Sequence, residues 1–580
     1  MFSLIQKSVR IFALVAFVSL PAVGLPGGMN SPRADSGGMI AAAGTQTLSL
    51  ANDPTLQWNT FMGSAKPDYI EAVTVDAGGN IYVTGYSSTP WGSPVNPFGG
   101  GSDAFAAKLN SSGNRQWMTF LGSAGYDYGY GIAVDGSGNV TVSGYSDAAW
   151  GSAINPYTGG NEAWVAKLDG SGNRIWNTFM GQAGNDYAEG LAVDAGGNIY
   201  LAGYSSATWG TPLNAFAGGA YDAFVARLDP NGNHQWHTFL GGAGVDVARD
   251  IAADGSGNVY VAGNSNATWG TPRAAFTGGT DVFAAKLNSS GARQWATFMG
   301  GLENDYGRGI AVDGSGNVYV AGYSTASWGS PQAIFAGGTD GYAAKLNSNG
   351  DRQWNTFMGS SLDDQALAIA ADVAGNTYVT GFSPATWGTP VLPYHGGLDA
   401  FMVPLTTNGA RYKHVFIGSS TGDDYGNSVA VDAGNDIIVA GRSSASWGTP
   451  LNADAGDWEA FAARYITQVP AVPVTVGPSG SSIDTTPAYT WQPSSAAGKY
   501  DLKVFRQGVA ESVVNATNLS ATTVCQAAVC GYKPAVSLPY GTYSFQVRAG
   551  NNYGWSAWSP LQQFVVAEAP YKIYLPLMVK

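Results

Sequence analysis

A segment of the form DAGGNIYVTGYSSTPWG, at Asp76 to Gly92, returns as a near-copy at Asp135 and five more times before residue 450. Its Trp-Gly pair falls at Trp91, Trp150, Trp209, Trp269, Trp328, Trp387 and Trp447, a period of 59 or 60 residues with almost no drift. Two further markers keep the same step. A run of QWNTFMG type places Trp58, Trp117, Trp176, Trp236, Trp295 and Trp354, with Lys413 in the seventh position. A DAFAAKL run opens on Asp103, Glu162, Asp222, Asp281, Asp340, Asp399 and Glu459. A long fixed period confines the chain to solenoid or propeller architectures, in which each repeat buries its apolar face only against its neighbours.

Four extended runs fill each repeat. IAVD and NVTVSG flank Gly136, Ser137 and Gly138, and DAFAAKL and RQWMTFLG flank NSSGN; both are tight hairpin signals. With 81 Gly, 12% charged residues and no helix-period segment outside the first 25 residues, the chain reads as all-β. Four antiparallel strands per repeat make a propeller blade, and seven repeats lie within the usual range. The expected architecture is a seven-bladed β-propeller over 55–466. The net charge of -13 argues against nucleic acid or an anionic membrane as partner, since both require basic surface.

The segments GIAVDGSGNVYVAGYS, GGTDVFAAKL and QWNTFMGS resemble the bacterial SBBP beta-propeller repeat family over residues 55 to 466. The resemblance implies an exported seven-bladed propeller and carries no established activity or catalytic residues.

Strand order predicts how the ring closes. The repeats begin with a lone outer strand, LQWNTFMG (Leu56 to Gly63), and end with a lone third strand, EAFAARYI (Glu459 to Ile466). Joined in one mixed blade, they remove two exposed edges. The same order puts the short Gly/Asn/Ser turns on one face and the long loops, such as Tyr86 to Ser102 and Gly122 to Tyr128, on the other. Long loops on a rigid scaffold are where binding resides.

A tryptophan present in all seven blades is read as packing, wedged between blades with Phe98, Tyr157, Phe216, Phe276, Phe335 and Tyr394. The acid that opens each third strand is read as a loop-capping acceptor, and the DGSGN turns as turn chemistry, since they lack the acidic density of a calcium loop. No metal or cofactor site is expected. Catalysis needs residues that break the symmetry, and the four histidines, His234, His237, His395 and His414, form no nucleophile–base pairing and are read as exposed. One position does vary. Just before each first strand stand Glu71, Tyr130, Glu189, Arg249, Arg308, Leu367 and Asn427, which register places at the mouth of the central channel on the long-loop face. Such a ring can orient a ligand or peptide; plain variation at solvated loop ends would look the same.

The first 24 residues, with Lys7 and Arg10 before an apolar run and small residues Ala22 and Gly24, read as an export signal, a signal anchor being the alternative. Residues 25–54 read as a disordered Gly/Ser/Ala leader. No membrane span is expected in the mature chain. Cys525 and Cys530 are expected to form a disulfide in an oxidising compartment, two unpaired thiols being the other reading. After a Pro/Val/Gly linker, 467–480, residues 481–568 resemble a fibronectin type III domain through Trp491, LPYGTYSFQVRA and WSAWS, with Arg548 a candidate cation over an indole face. The tail, 569–580, is one last strand or a sorting element.

These features together predict an exported extracellular or cell-surface binding and scaffold protein that uses its long-loop face to hold a polysaccharide or an envelope protein. The alternative is an extracellular polysaccharide-active enzyme, lyase or hydrolase, with its site at the channel mouth.

Overall fold

The computed structural model describes residues 54–466 apart from 183, and 473–568 apart from 495–496, 510, 527–528, 552–553 and 557. The segments read as export signal and tail, and all but the last residue of the leader, lie outside the described residues. Strands form where apolar runs lie between Gly- and Asn-bearing turns. In blade 1 they are Asp68–Val75, Ile81–Ser87, Asp103–Leu109 and Arg115–Leu121, hydrogen-bonded in that order. The second and third strands are buried almost throughout, whereas the outer strand begins exposed.

The innermost strands are Asp68–Val75, Asp127–Val134, Gly184–Val193, Asp246–Ala253, Asp305–Val312, Gln365–Ala371 and Asp424–Val431. Each touches the next and the last touches the first, so the fold is a closed seven-bladed ring. Closure follows the expected register. Thr55–Met62 pairs antiparallel with Glu459–Ile466, with Thr55 opposite Ile466 and Met62 opposite Ala460. The two kinds of long loop share a face: the Ser102 N–H donates to Gly125 O at 3.2 Å and the Asp127 N–H to Ser102 O at 2.6 Å.

Blades adhere through apolar clusters that span each interface. Trp58, Met62, Ala440 and Ala462 of blade 7 pack with Ile70, Val83, Trp91 and Phe105 of blade 1. The seven loop tryptophans sit in such clusters and are only 4% to 8% exposed. Trp91 meets Phe105 and Phe120 edge to face, at 5.3 and 6.2 Å between centroids, and Phe98 meets Phe120 at 5.2 Å. The loop aromatics therefore reach the tryptophan through the outer-strand phenylalanine. The histidines need correction. His234 and His395 are exposed, but His237 and His414 are buried and lie flat on Trp209 and Trp387, at 3.6 and 3.9 Å. Burial pushes both down to about 4, so they are neutral stacking partners.

A second set of tryptophans rivets the outer rim. Trp58 donates its indole N–H to Ser111 O at 3.1 Å, and Trp295 donates to Ser348 O at 3.1 Å, each in the third-to-fourth turn of the next blade. The ring lies over the turn glycine: a Cβ on Gly113 would stand 2.8 Å from the Trp58 ring. Blade 6 carries Lys413 here instead. The reason is topological. Blade 7 takes its third and outer strands from opposite ends of the chain, so it has no such turn for an indole to cover.

Residues 473–568 build two further sheets. One holds Thr475–Gly477, Tyr489–Trp491, Val529–Tyr532 and Cys525–Gln526; the other holds Gly480–Ser482, Gln562–Val566, Gly541–Asn551, Lys499–Arg506 and Ser512–Ser520. Their shared core includes Tyr489, Trp491, Tyr500, Leu502, Phe545 and Phe564, a small β-sandwich arrangement. Of these strands, Thr475–Gly477 lies in the stretch read as linker and Gly480–Ser482 begins on its last residue. Its Pro and Gly content hid short edge strands. Cys525 and Cys530 are disulfide-bonded. Among the described residues no helix is long and apolar enough to cross a membrane.

Buried carboxyls line the blade junctions on the long-loop face. Asp281 Oδ2 accepts the Thr277 N–H at 2.7 Å, which is the loop-capping role expected of third-strand acids. A matching acid opens each inner strand, as Asp246, which accepts the Gly242 N–H at 2.9 Å. The two sets meet: a Cβ on Gly241 would lie 2.8 Å from Asp246 Oδ2 and 2.9 Å from Asp222 Oδ1. Burial pushes Asp127, Asp222 and Asp305 up to about 6, Asp103, Asp186, Asp340 and Asp424 to about 7, and Glu459 to about 8, outweighing the N–H donors that pull the other way.

Two predictions follow from this architecture. Deleting residues 51–64 leaves Glu459–Ile466 as an open edge; size-exclusion chromatography should show aggregation, and a soluble monomer with unchanged melting would contradict the closure. The second concerns pH. Carboxyls whose folded values lie above their unfolded ones stabilise the fold fully below about pH 4, and that contribution is lost as pH rises through the folded values. Melting temperature should therefore fall between pH 5.5 and 8.5, and a flat or rising profile would refute the assignment.

Candidate functional site

The seven varying residues do not precede the inner strands, as the sequence suggested, but lie within them. Glu71 is the fourth residue of Asp68–Val75. Pairing with the second strand slips by one residue between Ile70 and Ala72, so Glu71 is the extra residue of a β-bulge. The same slip isolates Tyr130, Glu189, Arg249, Arg308, Leu367 and Asn427. Bulges re-aim side chains. All seven line a single cavity of about 430 Å3 inside the ring, at mid-strand depth, with Ala72, Tyr204, Asp250, Ala368 and Ser428 completing the wall.

A second-strand glycine makes each bulge possible. A Cβ on Gly85, Gly144, Gly203, Gly263, Gly322, Gly381 or Gly441 would stand 1.7 to 1.9 Å from the carbonyl oxygen of the inner-strand residue two before the bulge. The next inner-strand position is small for a related reason: a Cβ on Gly190 would lie 2.8 Å from the Asp250 Cα of the adjacent blade. Where that position is larger, its side chain is used across the interface. Asp250 Oδ2 accepts the Ile310 N–H at 2.9 Å and Ser428 Oγ accepts the Val73 N–H at 3.1 Å.

The charges are unevenly matched. Arg249 Nη1 lies 3.0 Å from Glu189 Oε1, bridging blades 4 and 3. Glu71 Oε1 lies 3.9 Å from Arg442 Nη1, and Asn427 Nδ2 donates to Ile70 O at 2.8 Å. Burial pushes Glu71 up to about 7 against the pull of Arg442, with Glu189 adding to the push and Arg308 opposing it. Burial likewise raises Asp250 to about 6 and drives the Tyr130 phenol far above its usual range. Arg308 Nη2 donates to Tyr323 OH at 3.2 Å, and the guanidinium lies 5.4 Å from that ring's centroid. Among the described residues no carboxylate is within ion-pair distance of Arg308.

Towards the long-loop end an aromatic collar begins. Tyr69, Tyr86, Tyr128, Tyr145, Tyr187 and Tyr204 follow one another at 4.6 to 5.0 Å between centroids. Val247 and Asn264 interrupt it in blade 4. Arg442 replaces the second tyrosine in blade 7 and lies 4.3 Å from the Tyr425 centroid and 5.2 Å from that of Tyr69. Sequence reasoning missed Arg442, Tyr204 and Asp250. The signals existed: GRSS at Gly441 to Ser444 breaks the GYSS pattern, and Asp250 stands where other copies have Gly, Ala or Ser.

The fold and its channel define a repeat β-propeller. Three stretches, 116–149, 235–268 and 294–327, match the family described as Beta-propeller repeat, SBBP. The chain is also similar to the regulatory protein FlaEY of Caulobacter vibrioides, 27% identical over 179 residues, covering 29% of this chain and 18% of that one. An uncharacterized WD repeat-containing protein of Acanthamoeba polyphaga mimivirus is 22% identical over 258 residues, 36% of this chain. The match again spans only 18% of the relative's length. Among solved structures, the PQQ-bound aldose sugar dehydrogenase of Streptomyces coelicolor aligns over 72% of this chain and 98% of its own, at 10% identity and a TM-score of 0.31. Cobalt-substituted Synechocystis apocarotenoid oxygenase aligns over 68% of this chain and 91% of its own, at 10% identity and a TM-score of 0.33.

The bulge gives a direct test. Gly203→Ala places a methyl 1.8 Å from the Tyr187 carbonyl, so the bulge at Glu189 must close or the strands must part. The cost should be about 3 kcal/mol, at the upper end of overpacking penalties, read by denaturant unfolding. A variant as stable as wild type would show that the glycine is not what admits the bulge.

Proposed function

We propose that the chain is an exported binding and scaffold protein, extracellular or on the cell surface of a bacterium, that holds a polysaccharide or envelope protein at the long-loop end of its propeller and in the channel beneath. One observation carries this reading. Most positions of the repeat are held nearly constant, yet the seven bulge residues that face the channel are Glu, Tyr, Glu, Arg, Arg, Leu and Asn. Identical blades suffice for stability; a ring of different side chains aimed at one cavity serves recognition. Export is supported by the apolar run behind Lys7 and Arg10 and by the Cys525–Cys530 bond. The sandwich is read as fibronectin type III-like. The Tyr543 hydroxyl donates to Pro539 O at 2.7 Å, a corner common to such folds, and Trp558 lies between Lys503 and Arg548 at 5.0 and 4.7 Å.

A second reading, a lyase or hydrolase acting on the same polysaccharide, rests on Glu71. A carboxyl near 7 is poised for proton transfer at neutral pH.

Glycan arrays and sedimentation with envelope fractions test both readings. Wild type should bind, and a Glu71→Gln/Arg308→Gln double variant should lose at least ten-fold in affinity, the scale of charge-assisted contacts, while melting is little changed. Binding unaffected by the double variant would place the site outside the channel. Release of reducing ends or unsaturated sugars by wild type, absent in Glu71→Gln, would favour the enzyme.

A further inference from the structure

We propose that the channel takes a monocarboxylated sugar, a uronic acid unit, whose carboxylate is anchored by Arg308. This rests on the reading of the channel as a ligand site and names the chemistry of what enters it.

The charges that line the cavity decide the sign of the ligand. Glu189 is matched by Arg249 at 3.0 Å, and Glu71 faces Arg442 at 3.9 Å. Asp250 is committed to the N–H groups of Ile310 and Ile251, at 2.9 and 2.8 Å. Arg308 alone is matched by no carboxylate among the described residues; its partner is the neutral Tyr323 hydroxyl, and its buried Nε has no acceptor. The tyrosine holds the guanidinium in place without neutralising it. A planar fork of donors in a partly desolvated wall suits a carboxylate, which it meets with two parallel hydrogen bonds.

The remaining wall limits how much charge is admitted. A second negative group would face Glu71, Glu189 and Asp250, so a dianion is disfavoured; a cation would meet Arg308 while the acids are already engaged. A ligand with one negative charge fits. Away from Arg308 the ring offers groups that suit hydroxyls. Glu71, which accepts from Asn427 Nδ2 at 3.4 Å, stands with Tyr130 and Asn427 in three consecutive blades, a run of polar groups suited to hydroxyls. Leu367 and Ala368 provide apolar surface for the C–H face of a pyranose. A cavity of about 430 Å3 lies within the small-ligand range. The net charge of -13 repels dense polyuronates at long range, which favours an isolated acidic unit or a chain end in an otherwise neutral glycan.

Isothermal calorimetry on the full exported chain tests this with glucuronic acid, glucose and glucose 6-phosphate as monoanion, neutral sugar and dianion. Glucuronic acid should bind at least ten-fold more tightly than either of the others. Arg308→Gln should erase that preference, and Arg308→Lys, which keeps the charge and loses the fork, should retain it in part. Arg273→Gln, changed at an exposed arginine paired with Asp351, should bind as wild type does. Melting curves separate loss of the site from loss of the fold; if Arg308→Gln unfolds, the Lys variant and the three-ligand ranking on wild type decide. Equal binding of glucose and glucuronic acid, or a preference that survives Arg308→Gln, overturns the proposal and leaves the channel as a ligand site. Channel-dependent capture of neutral glycans on an array, with no response to glucuronic acid, does the same. If no glycan or envelope component binds at all, the broader reading falls as well.

Discussion

A missing Cβ governs the interior of this propeller. In every blade the second strand carries a glycine whose vacant side-chain position is filled by a carbonyl oxygen of the inner strand. That approach lets the inner strand carry one residue more than its partner, and the surplus residue is the one turned to the axis. The glycine is thus invariant across the copies and its bulged counterpart free to differ. Sheet support and channel lining are separated within a single pair of strands, so the residues facing the axis can differ without disturbing the sheet that supports them.

Around the channel, stability is distributed. Each interface buries a loop tryptophan, an outer-strand phenylalanine and small residues of the neighbouring blade, and the outer indoles cap turn glycines one blade further on. Nearest-neighbour contacts of this kind add up roughly independently in repeat proteins. The buried carboxyls at the junctions are the exception to an apolar rule. They satisfy loop N–H groups at one oxygen and are costly to ionise, which links the integrity of the long-loop face to proton concentration.

Much of this was legible in the sequence because repetition does the work of comparison within one chain. The period fixed the blade, strand order fixed the closing pair, and seven identical tryptophans announced packing. What repetition does not show is a one-residue slip in pairing. Glu71 and its counterparts were recognised as a varying set but placed before the strand, since a bulge has no signature in apolar alternation beyond the glycine opposite it. Arg442 escaped notice because it lies on the second strand, where the copies otherwise repeat closely and a single substitution draws no attention by period alone. His237 and His414 looked exposed because outer strands begin in solvent; His237 within its strand and His414 just before Val415–Ile417 are the residues that turn under the loop indole.

The mixed blade has a mechanical corollary. Thr55 and Ile466 lie directly opposite each other at one end of the closing pair, so the chain enters and leaves the ring at neighbouring points. Tension between the segment before residue 55 and the segment after residue 466 pulls these two strands apart from that end, breaking their hydrogen bonds in succession instead of together. On the far side of blade 7, the seam with blade 6 has Lys413 where other seams have an indole seated on a turn. The blade that locks the circle is therefore also the one through which a stretched molecule opens first.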